Sequence, residues 1–152
     1  MYPTVYNEST VFVSYLDDVE RFDVVVAYIT PEDNLVSSFY GTEYYIKRII
    51  GLPGDTVTWK DGVLKINGEI IKEDYIKLSI VGSGTSFDGI FSYKKDGELQ
   101  PTTTVIPDGY YFVMGDNRGN SIDSRDIGLI PFKNIEGIAK YEFTGSGIER
   151  ID

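Results

Sequence analysis

Residues 57–71 of the chain read VTWKDGVLKINGEII, three short runs separated by Asp61-Gly62 and Asn67-Gly68. Asp-Gly and Asn-Gly dipeptides accept positive φ at both positions, and the turns that they form match the twist of antiparallel strands. Most of the flanking residues are apolar, and the β-branched and aromatic ones favour strands over helices. This stretch therefore predicts a meander of three antiparallel strands at 57–59, 63–66 and 69–71.

Strand patterns continue on both sides of this meander. They are alternating or continuous apolar runs, and the run nearest the meander on its N-terminal side stops at Gly51-Leu52-Pro53-Gly54, a strong turn signal. No amphipathic helix longer than two turns is visible. We therefore predict a mainly β fold, in which small antiparallel sheets form a barrel-like core. The predicted strands outside the meander are Thr10–Tyr15, Val24–Ile29, Glu43–Ile50, Tyr110–Met114 and Ile135–Phe143.

Three segments lack a clear strand pattern. Thr30–Phe39 is polar and contains a proline, which predicts a surface loop. Lys72–Thr104 contains four glycines and no regular period, so we expect an irregular β excursion with a short strand at Ile90–Tyr93. The stretch Gly115–Arg125 is too polar to form a core strand.

Length and composition predict one domain. A chain of 152 residues can bury roughly 70% of the surface that its unfolded form exposes. We expect a single domain over 1–152, with its core at 1–55 and 105–152 and the excursion at 56–104. No apolar run approaches the roughly 20 residues that a membrane-spanning helix needs, and we expect the natural chain to begin before Met1.

The charge and the missing residue types exclude several functions. A net charge of −10 leaves no basic surface for phosphates, so we expect no nucleic-acid partner. The chain has no Cys and no His, which excludes a thiol nucleophile, a Ser-His-Asp triad and ordinary zinc sites. A hydrolase on this chain must therefore take its base from Lys, Asp, Glu or a terminal amine, and we predict no metal and no other cofactor.

Three separated segments resemble the motifs of one family, in the family's order. Met1-Tyr2-Pro3-Thr4 resembles the pattern Ser-Met-x-Pro-Thr from its second residue onward. The sequence KRIIGLPGD at 47–55 is similar to the family's lysine segment, and GDNRGNSIDSR at 115–125 is similar to its third motif. By these motifs the chain is identified as a member of the bacterial type I signal peptidases, in their small Gram-positive form.

The resemblance implies a serine endopeptidase with a Ser/Lys dyad. In that family a serine directly before the Met attacks the scissile carbonyl, and a lysine takes its proton. Carried over, Lys47 is the general base and the nucleophile precedes Met1. We therefore expect this chain to lack its nucleophile and to be inactive as it stands.

The residues around Lys47 suit a base. A lysine amine is a base only when neutral, and its ordinary pKa of about 10.4 keeps it charged at pH 7. Burial among apolar groups lowers that pKa, and a strand would place Tyr45 and Ile49 on the same face as Lys47. A solvated strand lysine is the alternative that the local sequence leaves open.

The polar block at 115–125 receives its roles from the resemblance. Ser121 resembles the family serine that hydrogen-bonds the lysine amine and orients it. The other polar residues match a structural network, in which charged groups pair and side-chain amides hold loop backbone groups. This expected network comprises Asp116, Asn117, Arg118, Asp123 and Arg125.

Relatives bind the signal peptide as an extended strand, which implies β-addition along Tyr44–Ile46 here. Main-chain hydrogen bonds would provide affinity, and shallow pockets lined by Met1, Tyr45 and Ile46 would select small side chains. Tyr44 stands where a polar residue is common, so it is expected to narrow the groove.

The resemblance also implies binding partners and a cellular location. The partners are the signal peptides of secreted precursors, pilin subunits among them, and the membrane, through a transmembrane helix outside this chain. The native protein would act at the extracytoplasmic face of the bacterial cytoplasmic membrane.

One alternative is a non-catalytic homologue that acts as a pilus-assembly chaperone, and the presence of Lys47 favours an enzyme over it. A self-cleaving repressor also uses a Ser/Lys site but lacks the motifs at 51–55 and 115–118.

Overall fold

The structure is a computed structural model, and it describes residues 1–6, 8–36, 41–76 and 86–151. Within these ranges no helix is long and apolar enough to cross a membrane. A short helix, α1 (Ser124–Ile127), and a 3-10 turn at Phe132–Asn134 interrupt a chain of strands. The strands are β1 (Thr10–Ser14), β2 (Val24–Ile29), β3 (Glu43–Gly51), β4 (Val57–Lys60), β5 (Val63–Ile66), β6 (Glu69–Ile71), β7 (Lys94–Lys95), β8 (Glu98–Leu99), β9 (Tyr110–Met114), β10 (Ile130–Pro131), β11 (Ile135–Thr144) and β12 (Gly147–Arg150).

Seven strands form one antiparallel sheet in the order β1-β11-β2-β3-β9-β10, with β12 paired to β11. Its strands come from the first third and the last third of the sequence, so the two ends of the chain share a sheet. β4-β5-β6 and β7-β8 form two smaller sheets. The mainly β fold of small antiparallel sheets is thereby confirmed.

The predicted meander is confirmed. β4, β5 and β6 pair antiparallel in sequence order, and the first of them extends one residue further than expected, to Lys60. All four turn residues adopt positive φ: Asp61 and Gly62 at 52° and 79°, Asn67 and Gly68 at 52° and 84°. These angles at both turn positions are those of the two-residue hairpin turns that fit twisted strands.

The excursion differs from its prediction in one element. Ile90–Tyr93 forms no strand, and Phe91 makes only an isolated bridge to Thr103. The short hairpin lies just downstream instead, where Asp96-Gly97 turns at φ of 52° and 82° between β7 and β8. The buried Phe91 ring explains the apolar pattern there, because that pattern reflects core packing and not strand pairing.

The loop after β2 also differs from its prediction. Residues 37–39 of the predicted surface loop lie outside the described residues, but Asp33 and Asn34 within it are buried. Asn134 Nδ2 donates to Asp33 Oδ2 at 2.9 Å, and Asn34 Nδ2 donates to the Thr30 carbonyl at 2.7 Å. Buried polar groups need such partners, so this loop is pinned to the 3-10 turn before β11.

One apolar core joins the large sheet to the meander. Ile50 and Phe112 from the large sheet pack with Trp59 and Leu64 from the meander and with Phe91 from the excursion, all at most 2% exposed. Stacked aromatic and aliphatic side chains of this kind supply most of the burial energy of a small domain. The shared core fixes the meander against the end of β3 that follows Lys47.

Candidate active site

β3 places Lys47 on an apolar face of the large sheet. Lys47 pairs across the sheet with Val25 of β2, and alternation along the strand puts it on the same face as Tyr45 and Ile49. Only 8% of Lys47 is exposed, and its Nζ lies 5.0 Å from the centroid of the Tyr45 ring. The amine is therefore largely removed from water and lies over one aromatic ring.

Burial is the dominant influence on the Lys47 amine. It lowers the pKa of Lys47 below the ordinary value of 10.5, while the charge of Asp123 works against this effect. Arg125 lowers the same pKa further and Asp116 raises it. Among the described residues Lys47 belongs to no ion pair, because both nearby aspartates are paired with arginines. Burial therefore shifts the Lys47 equilibrium in the direction of the neutral amine that a general base requires.

Ser121 lies beside the same amine. A Cβ placed on Gly115 would collide with Ser121 Oγ and would lie 3.8 Å from Lys47 Nζ, so both polar groups lie next to a position where Ser121 leaves room only for glycine. Ser121 Oγ is buried and has no hydrogen-bond partner in the described part of the chain. The structure thus brings Ser121 close to Lys47, but the expected hydrogen bond between them is not formed.

Asp123 and Arg125 form the expected ion pair. Arg125 Nε lies 2.8 Å from Asp123 Oδ1, and both side chains are at most 1% exposed. Asp123 also caps α1 and accepts a hydrogen bond from the Gly115 N–H at 3.0 Å. One carboxylate therefore fixes both ends of the loop that carries Ser121.

Asp116 and Arg118 find their oppositely charged partners outside the polar block. Asp116 accepts from Arg48 Nε and Nη2 at 2.9 and 2.7 Å, a bidentate pair with both side chains 1% exposed. Arg118 pairs with Glu73. The side-chain amide of Asn117 was expected to hold loop backbone groups. Its Oδ1 atom, however, is buried and accepts no hydrogen bond from the described residues. The network exists, but two of its pairs reach to distant strands and loops.

The N-terminal segment runs close to Lys47. Burial and the charge of Lys47 lower the pKa of the Met1 amine, so the two amines are near enough to repel each other. Thr4 Oγ1 donates a short hydrogen bond to Asp116 Oδ2, and the Met1 side chain packs in a small cluster with Ile46 and Val5. A backbone turn, in which the Thr4 N–H donates to the Met1 carbonyl at 2.9 Å, completes the anchorage.

The first half of β3 offers a strand edge. β9 pairs with β3 only from Arg48 onward, whereas β2 pairs along the strand from Glu43 to Arg48. Among the described residues, the edge of Glu43–Lys47 that faces away from β2 therefore has no partner strand. Tyr44 is 65% exposed there. Tyr45 donates its hydroxyl to Glu43 Oε2 at 2.6 Å.

The four residues expected to bind substrate divide between the two faces of this edge. Tyr45 shares the face of Lys47, whereas Tyr44 and Ile46 point to the opposite face, where Ile46 and Met1 pack against the same buried cluster. This follows from the period of two in a strand. A bound peptide would therefore meet Tyr45 and Ile46 on opposite sides.

Three residues that this arrangement uses were not predicted from the sequence. Arg48 holds Asp116, Thr4 ties the N-terminal segment to the same carboxylate, and Glu73 holds Arg118. Arg48 and Thr4 lie inside recognised motifs, so position within a motif was the available signal for them. Glu73 lies in the excursion and carried no signal. Within the described ranges no cluster of acidic side chains is arranged to hold a metal ion.

The chain matches one protein family over nearly its whole length. The family described as signal peptidase, peptidase S26, matches residues 1–144. Signal peptidase I S of Bacillus subtilis (strain 168) is 40% identical over 148 residues, which cover 94% of this chain and 71% of that protein. Signal peptidase I T of the same organism is 38% identical over 151 residues, covering 94% of this chain and 68% of that protein. 

A solved structure gives the same result. The crystal structure of a signal peptidase I from Enterococcus faecalis V583 superposes with a TM-score of 0.58 at 30% identity, and the match covers 82% of this chain and 98% of that one. The motifs, the fold and these relatives agree: the chain belongs to the signal peptidase family, peptidase S26, as a bacterial type I member of the small Gram-positive form.

Proposed function

We propose that this chain is the catalytic domain of a serine endopeptidase that removes signal peptides from exported precursor proteins, with Lys47 as its general base. The observation that carries the proposal is the environment of Lys47: a buried amine with a lowered pKa, outside any ion pair of the described residues. A lysine that only supported the fold would more often reach water or a carboxylate.

The nucleophile in this proposal is a serine directly before Met1. Its position next to the Met1 amine would bring a hydroxyl toward Lys47 Nζ. The neutral amine takes the proton of the hydroxyl as the oxygen attacks the scissile carbonyl, and the resulting ammonium returns the proton to the leaving amine. Water then hydrolyses the acyl-enzyme. Ser121 orients the amine, and the Asp123–Arg125 and Asp116–Arg48 pairs hold the surrounding loops.

The substrate is an extended peptide that adds to the edge of β3 that faces away from β2. Main-chain bonds along Tyr44–Ile46 supply affinity without depending on side chains, which suits an enzyme that accepts many precursors. Tyr45 beside Lys47, and Ile46 with Met1 on the opposite face, line the pockets for the side chains near the cleaved bond. The exposed Tyr44 ring, 6.2 Å from the Tyr28 ring between centroids, narrows the groove at its outer end.

The location follows from the same function. We propose that a transmembrane helix before this chain anchors the protein, so that the site works at the extracytoplasmic face of the bacterial cytoplasmic membrane. Precursors emerge there with their signal peptides in the bilayer. Pilin subunits belong to the proposed precursors.

The test is cleavage of a signal-peptide substrate by the anchored protein with a serine ahead of Met1. Cleavage should occur at a small-residue site, should fall below detection in Lys47→Ala, and should persist in Lys65→Ala, the matched exposed lysine of β5. Full activity of Lys47→Ala would remove this residue from the mechanism. A pilus-assembly chaperone, the rival hypothesis, predicts pilin binding without products in the unsubstituted protein.

A further inference from the structure

The segment that follows β6 reaches the polar block through two side chains. Glu73 pairs with Arg118, with the two side chains 11% and 4% exposed. Arg118 donates to Glu73 through both terminal nitrogens, Nη1 at 2.9 Å and Nη2 at a shorter distance. A bidentate, largely dehydrated pair of this kind fixes the direction of the guanidinium as well as its charge.

The oriented Arg118 side chain in turn holds the backbone of Gly115. Its Nε donates to the Gly115 carbonyl at 3.2 Å, while its own carbonyl accepts from Arg125 Nη2 at 2.9 Å. Arg125 is paired with Asp123, which accepts from the Gly115 N–H. Both backbone polar groups of Gly115 are therefore held by one network, and Gly115 is the surface against which Ser121 and Lys47 pack.

Tyr75 holds the carboxylate of Glu73 in place. Its hydroxyl donates to Glu73 Oε1 at 2.6 Å, and the Arg48 guanidinium carbon lies 4.2 Å above its ring centroid. Arg48 holds Asp116, which in turn anchors Thr4. The glutamate is thus oriented by a tyrosine that also supports the arginine behind the N-terminal segment.

We propose that Glu73 is a positioning residue for the cleavage reaction: through Arg118 and Gly115 it sets the separation of Ser121 and Lys47. The inference rests on the proposed function, in which Lys47 is the base. Without its carboxylate, a buried guanidinium must find water or another partner. The Gly115 carbonyl would then shift, and water would reach the Lys47 amine.

The experiment compares Glu73→Gln and Glu73→Ala with Asp74→Asn, a matched control. Asp74 is the next residue, its side chain is 73% exposed, and its ion pair is with Lys72, which is more exposed still. In the anchored protein with its serine, Glu73→Ala should lower kcat about tenfold with KM nearly unchanged, within the hundredfold that a misplacement of about 1 Å can cost. Glu73→Gln should show a smaller loss, Glu73→Asp should restore part of the rate, and Asp74→Asn should match the parent.

A second measurement separates this inference from the proposed function. The Lys47 amine is titrated by NMR in selectively lysine-labelled protein, which requires no catalysis. Its midpoint should move toward the ordinary value in Glu73→Gln and Glu73→Ala and stay in place in Asp74→Asn. If the anchored protein with its serine cleaves nothing, the missing cleavage contradicts the proposed function, while a shifted Lys47 midpoint in the Glu73 variants still supports the positioning role. An unmoved midpoint with an unchanged kcat in the folded Glu73→Gln protein overturns the inference.

Discussion

The Lys47 amine is buried and forms no ion pair with the described residues. Its charged form therefore lowers the free energy of unfolding. Burial lowers its pKa in the folded protein, whereas the unfolded chain keeps the ordinary value of about 10.4. Between these two values the unfolded state binds more protons. The contribution of Lys47 to the free energy of unfolding therefore rises with pH across that window, and below the folded-state pKa it is constant and unfavourable.

Lys47→Met should therefore stabilise the protein while abolishing cleavage. Methionine fills a similar volume without an amine to dehydrate, so at pH 7 we expect Tm to rise by about 2–4 °C. The gain should shrink as the pH approaches 10, where the unfolded lysine also loses its proton. Thermal scans of both proteins from pH 6 to pH 10 measure this, and a lower Tm for Lys47→Met at pH 7 would contradict it. Lys65→Met, on the exposed side of β5, serves as the control.

At the scale of elements, hydrogen bonds from the β5–β6 turn hold the turn between β3 and β4 in place. Asp55 pairs with Arg21 at 2.7 Å and accepts from the Leu52 N–H at 2.7 Å. Asn67, in the β5–β6 turn, donates to Asp55 at 2.8 Å and accepts from the Thr56 N–H at 2.9 Å. These bonds join the end of the strand that carries Lys47 to the meander.

Asn67→Gly tests how much these hydrogen bonds stabilise the fold. Asn67 has φ of 52°, and glycine keeps that conformation while removing the hydrogen bonds of the Asn67 side chain to Asp55 and Thr56. We expect the free energy of unfolding to fall by about 1–2 kcal/mol, measured by urea denaturation. Asp61→Gly is the matched control, because Asp61 has the same φ and no side-chain hydrogen bond in the described structure. Equal effects of the two substitutions would show that the turn conformation, and not the contact with Asp55, is responsible.

At the scale of the whole molecule, the meander and the large sheet cannot lose their packing separately. Trp59 of β4 is 2% exposed in the shared core, and the guanidinium carbon of Arg125 lies 5.2 Å from its ring centroid. The same tryptophan therefore contacts the core of the domain and the network beneath Ser121. Ile50 and Phe112 complete the core from the other sheet.

Unfolding should accordingly be one cooperative transition. Trp59 is the single tryptophan of the chain, so its fluorescence reports on the meander, whereas far-UV circular dichroism reports mainly on the large sheet. We expect the two urea curves to share one midpoint and one slope. A fluorescence transition that precedes the loss of circular dichroism would mean that the excursion folds as an independent unit.

The sequence by itself determined the turns, most of the strands and the family. Asp61-Gly62 and Asn67-Gly68 specify their hairpins because positive φ at two successive residues is a local property. β2 and β9 have the predicted bounds because their apolar runs are uninterrupted and end at turn signals. Asp96-Gly97 carried the same signal, and it marks the hairpin that the apolar residues around Phe91 obscured.

Only the tertiary structure decided which charges meet and which remain unpaired. Arg48 and Asp116 are 68 positions apart, and Glu73 and Arg118 are 45 apart, so no local pattern pairs them. The lowered pKa of Lys47 likewise depends on burial by β2 and by the loop at Gly115, and not on its neighbours in sequence alone. Turn chemistry is set by adjacent residues, whereas dehydration and ion pairing are set by whatever the fold brings within a few ångströms.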